Sequence, residues 1–176
     1  MKIASNVSLK GPIWAEMLDK LVDVVFETYW DVYALCISIG MMADEQIDSK
    51  DMVPSDYTDE PKTIPKSVLL DETRNELLEF MLQAALVTTK HLDFSEEQRL
   101  QLAFYKESDK DSEISFKPLH FLTMYANYGI VKLKEAVDDA TDVDLLFSIM
   151  AFLHDTYEKD YISTDDIELD LADDID

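Results

Sequence analysis

Glycine occurs only three times in 176 residues, at Gly11, Gly40 and Gly129, and proline only five times. Sheet proteins use these residues at nearly every corner, so a chain this poor in both is expected to fold as helices joined by few turns. One domain is expected at this length, burying roughly 70% of the surface that its unfolded chain exposes. With 47% hydrophobic and 10% aromatic residues, its core needs no disulfide or metal.

The hydrophobic periodicity supports an all-α bundle of about six helices. Gly11-Pro12 opens the first, because proline is tolerated where its missing N–H would be unsatisfied anyway. Ile13, Trp14, Met17, Leu18, Leu21, Val22 and Val25 then recur at helical spacing, opposite Asp19, Lys20 and Asp23. Thr28 caps a second helix with Trp30, Tyr33, Ala34, Ile37 and Met41 every three or four residues. That segment is nearly apolar all round, which places it at the bundle centre with Cys36 inside it. A third helix begins near Asp71, with Leu77, Leu78, Met81, Ala84 and Ala85 facing inward. Ser95 and Gln98 form a capping box for a short fourth carrying Leu100, Leu102 and Phe104. The fifth runs from Lys117-Pro118 through Leu122, Tyr125, Ala126, Ile130 and Leu133 to Val137. Gly129 in its middle costs about 1 kcal/mol relative to Ala, so either the helix breaks there or a neighbouring backbone approaches closely. Thr141 or Asp142 caps the last helix, with Leu145, Leu146, Ile149, Met150 and Leu153 as its apolar set. Residues 1–157 are thus expected to form the helical domain and residues 158–176 an acidic C-terminal tail, with nine acids against one Lys. Between Asp44 and Pro65 the periodicity vanishes and acids and prolines gather, marking a long acidic loop of the kind that is functional or disordered.

Charge narrows the function. Asp and Glu number 38 against 15 Lys and Arg, a net charge of −23. No cluster of basic residues offers a surface to a phosphate backbone or an anionic membrane, so direct nucleic-acid and membrane binding are not expected. No stretch approaches the ~18 uncharged apolar residues of a membrane helix, and Met1–Lys10 lacks an apolar run ahead of a cleavage site. The single cysteine cannot form an internal disulfide, so the cytoplasm is the expected compartment. The charge exceeds the roughly 2 to 8 units that keep a small domain soluble, which points to a basic protein partner.

Chemistry-bearing constellations are weak. Asp109, Asp111 and Glu113 alternate as in a calcium loop, but Ile114 stands where Gly must turn the chain and His120 where the bidentate Glu belongs. His91, His120 and His154 are too scattered for a zinc site, although His120 and His154 could meet if the last two helices pair antiparallel. Cys36 among apolar residues reads as a core thiol, and three scattered glycines make no phosphate cradle. No enzyme activity, metal or cofactor is expected.

The segment Tyr29–Met41 with its Ile39-Gly40 pair, the later Ile64-Pro65, and Tyr125-Ala126-Asn127-Tyr128-Gly129-Ile130 followed by Leu133 resemble a family of small bacterial proteins associated with DNA phosphorothioation (Dnd) systems. Members tend to be basic just after the aromatic helix, where this chain has Asp44, Glu45 and Asp48. The resemblance implies an accessory component of a DNA-modification or anti-phage defence system, and its motifs carry over no catalytic residue. The expected role is a non-catalytic subunit whose acids dock on a basic surface of a larger ATPase, nuclease or DNA-modifying enzyme. Asp48, Asp51, Asp56, Asp59 and Glu60 in the loop and Asp165, Asp166, Glu168, Asp170 and Asp174 in the tail are the expected contact residues. The alternative is a DNA-mimicking or immunity-type inhibitor of a nucleic-acid-binding protein.

Overall fold

The structure, a computed structural model, describes residues 1, 3–104 and 116–158. Among the described residues seven α-helices carry the fold: α1 (Pro12–Leu21), α2 (Tyr29–Ala43), the one-turn α3 (Lys66–Leu69), α4 (Glu72–Thr88), α5 (Glu96–Phe104), α6 (Pro118–Val137) and α7 (Leu145–Leu153). A π-helical turn, His154–Glu158, continues α7. Strands β1 (Val7–Leu9) and β2 (Lys62–Ile64) form a two-stranded antiparallel ribbon pairing Val7 with Ile64 and Leu9 with Lys62. The expected all-α bundle forms, with a one-turn helix and a ribbon that periodicity did not reveal.

The aromatic α2 and the long α6 lie against each other at the centre. A Cβ on Gly40 of α2 would collide with the carbonyl oxygen of Tyr125, and one on Gly129 of α6 would collide with the carbonyl oxygen of Cys36. Each helix thus gives one glycine to a mutual backbone approach. Gly129 therefore does not break its helix, which runs unbroken for 20 residues; it lets the neighbouring backbone in. The Asp31 carboxylate fixes the start of α2, accepting from the Thr28 N–H and hydroxyl at 2.8 Å each.

Helix α1 joins this pair through buried Trp14, Met17, Leu18 and Leu21. Its Lys20 ammonium donates to the carbonyls of Val137 at 2.6 Å and Asp138 at 3.4 Å, where α6 ends and its last carbonyls lack helical partners. The helix stops at Leu21, about one turn short of the expected Val25. Asp23 turns left-handed at φ 68°, a conformation its short polar side chain tolerates, and its N–H donates to Phe26 O at 2.8 Å.

The outer helices depart more from expectation. Asp71 does cap α4, accepting from the Arg74 N–H at 3.3 Å. Its buried face, however, is Leu78, Met81, Leu82, Ala85 and Leu86, which leaves Leu77 exposed. The Ser95–Gln98 capping box closes in both directions, at 2.9 and 3.2 Å. Yet Ala103 alone is buried on α5, while Leu100 and Phe104 face outward.

Candidate protein-docking site

The acidic stretch after α2 is fastened to the core at both ends. Asp44 ends α2 in the left-handed conformation, φ 48°. Its carboxylate accepts from Tyr125 Oη and from the Lys90 N–H, each at 3.1 Å, and Tyr125 Oη also sits 2.7 Å from Thr89 Oγ1. His91 Nε2 lies within hydrogen-bonding distance of the Asp44 carbonyl. Burial works against ionisation of Asp44, but the Lys90 N–H, the Tyr125 and Thr89 hydroxyls and the nearby His91 outweigh it and hold the carboxyl below its ordinary range. Burial first, then the Asp44 charge, push the Tyr125 hydroxyl up to about 12.

Three residues further on, the Ile47 N–H donates to Met124 O of α6 at 3.0 Å. Asn127 of α6 holds the same point from its side chain: Nδ2 donates to Ile47 O at 2.9 Å and lies 3.2 Å from Ser49 Oγ, while Oδ1 accepts from Trp14 Nε1 at 2.9 Å. Met52 is buried, its carbonyl pressed against Gly11, where φ is 99° and any side chain would collide. At the far end β2 pairs with β1, and Lys62 forms an ion pair with Asp19 at 2.6 Å.

Between these anchors lie the five expected loop acids, which the structure divides. Asp48 closes its own turn: it accepts from the Lys50 N–H at 3.0 Å and lies 3.8 Å from the Lys50 ammonium. That backbone hydrogen bond, with help from the Lys50 charge, holds its carboxyl below the usual range. Asp51, Asp56, Asp59 and Glu60 are exposed. Among the described residues none of these four carboxylates has a hydrogen-bond or ion-pair partner. Asp165, Asp166, Glu168, Asp170 and Asp174 lie outside the described residues, as does the Asp109–Glu113 run.

Beside the loop runs an open groove of about 660 Å³ lined by Asn6, Lys10, Asp48, Lys50, His120 and Thr123, among others. No hydrogen bond, ion pair or ring contact joins His120 and His154 among the described residues; His154 Nδ1 lies 3.4 Å from Asp155 Oδ1. Cys36 is fully buried, and burial pushes its thiol well up. Among the described residues no three His, Cys, Asp or Glu side chains converge as metal ligands, and no helix is long and apolar enough to cross a membrane.

Sequence reasoning missed the outer face of α7. Leu146 and Met150, expected inside, are exposed together with Val143 and Phe147; only Leu145 and Ile149 are buried. The signal was present in the run LLFSIMAFL, which has no charged residue. An apolar run at the centre of a bundle finds neighbours all round, but one on its periphery buries one face and shows the other.

No protein-family model, curated protein or solved structure matches this chain.

Proposed function

We propose that the chain is a non-catalytic binding subunit whose acidic loop docks on a basic surface of a larger protein partner in the cytoplasm. One observation carries the reading: a loop anchored by Asp44, Ile47, Met52 and β2 presents four exposed carboxylates that have no partner among the described residues. Anchoring lowers the ordering cost of association, and crowding of like charges on a −23 chain is relieved by a cationic partner. The resemblance of Tyr29–Met41 and Tyr125–Ile130 to the phosphorothioation-associated family supplies the proposed setting, a DNA-modification or defence assembly with an ATPase, nuclease or modifying enzyme as partner.

The test is affinity capture from the source cells with two baits, the native chain and the variant Asp51→Asn, Asp56→Asn, Asp59→Asn, Glu60→Gln. A stoichiometric partner held by the native bait at about 0.05 M salt, released at about 0.5 M and lost by the variant supports the reading. Equal retention by both baits contradicts it. If the captured protein binds duplex DNA and the native chain displaces that DNA, the inhibitor reading replaces the subunit reading.

A further inference from the structure

The second surface that asks for a partner is the outer side of α7, and it stands independently of the loop. Val143 is 84% exposed, Leu146 51%, Phe147 71% and Met150 57%. Leu146, Phe147 and Met150 share one face of α7, and Val143 stands in the turn just before it. A contiguous apolar stripe of this kind on a protein surface marks an interaction site, whereas scattered single residues do not.

The surroundings select the occupant. From Glu135 to Glu158 the chain holds seven acids and no Lys or Arg. Asp138, Asp139, Asp142, Asp144 and Asp155 are all exposed around the stripe's helix. A second copy of the chain would set these acids against their own counterparts. The chain's own residues 159–176 carry eight acids against one Lys and meet the same repulsion. A short segment with an apolar face and a basic flank satisfies both features at once, and the flexible Met150 lets the face adapt to it.

We propose that the Leu146–Phe147–Met150 face of α7, with Val143 in the turn before it, receives an apolar and basic amphipathic helix of a protein partner. The helix lays its apolar side chains on the stripe while its Lys or Arg residues reach the acidic rim.

Two labelled peptides of about 14 residues, made only of Leu and Lys in equal composition, test this on the full chain. In one, Leu recurs at i, i+3, i+4 and i+7; in the other the order is scrambled so that no helical face is apolar. By fluorescence anisotropy at about 0.15 M salt, the native chain should bind the first about tenfold or more tightly than the second. The double variant Phe147→Ser, Met150→Ser should lose that preference. Should the variant fold poorly, peptide-induced NMR shifts on the native chain serve instead, and they should centre on residues 143–150. The charge of the loop is common to both peptides, so failure of the loop reading leaves this preference in place. Equal affinities, a preference that survives in the variant, or shifts centred elsewhere would each overturn the proposal. So would a native dimer that the variant dissolves, which assigns the face to a second copy. Faster amide exchange of residues 159–176 in the variant would assign the face to the chain's own tail and overturn the proposal equally.

Discussion

Trp14 and Asn127, 113 residues apart in the chain, share a buried hydrogen bond of 2.9 Å from the indole N–H to the amide oxygen. Because the other end of the same amide holds Ile47 O and Ser49 Oγ, the acidic loop hangs from the core of the bundle. Asn127→Ala leaves the Trp14 donor and the Ile47 acceptor without partners, at about 1–3 kcal/mol each. A total loss of about 3 kcal/mol in urea unfolding is expected, with early proteolytic nicking between residues 44 and 61. A loss under about 0.5 kcal/mol would show that Asn127 is not the anchor.

Gly40→Ala and Gly129→Ala test the central crossing by the sign of their effect. In an exposed helix interior, Ala is favoured over Gly by about 1 kcal/mol. Here the added methyl meets the Tyr125 or Cys36 carbonyl, so each change should instead destabilise by about 1–3 kcal/mol or more. The two glycines share one interface, so the double variant should depart from the sum of the singles. Stabilisation by either change in thermal unfolding would contradict the close approach.

Asp44→Asn isolates a charge, because Asn tolerates the left-handed conformation that Asp44 adopts at the end of α2. The folded carboxyl lies below its ordinary value, so its contribution is complete above the unfolded pKa and is lost as pH falls through the folded one. At pH 7 the variant should be less stable by about 1–2 kcal/mol. The gap to the native chain should narrow as the pH drops below about 4. A gap constant from pH 7 to 3 would remove the ionised carboxylate from the account.

Cys36 is enclosed between α2 and α6 with its thiol pKa raised by burial. Both effects suppress thiolate chemistry. A thiol-specific reagent at neutral pH should react with the folded chain only at the rate of its unfolding, and at once in denaturant. Rapid stoichiometric labelling of the folded protein would contradict the packing of α2 on α6.

Much of this architecture was legible in the residues, and the misses share a cause. Thr28, Asp71 and the Ser95–Gln98 pair mark helix starts because capping is local chemistry. Gly129 announced either a helix break or a close approach, but not that it and Gly40 each answer the backbone of the other helix, which is a tertiary fact. The 44–65 stretch read as an acidic loop. Its anchors, Asn127 amide to Ile47 and β2 to β1, join residues about 55 to 80 apart that no local pattern connects. The faces of α4 and α7 were misread at Leu77, Leu146 and Met150 because apolar side chains outnumber the neighbours available at the edge of a bundle.

The most direct measurement is hydrogen–deuterium exchange on the native chain, free and bound to the partner it captures from its source cells. Slower exchange between Asp51 and Glu60 in the complex is the result this account expects. Unchanged exchange across that loop, with protection confined to other segments, would contradict the claim that the acidic loop is the docking surface.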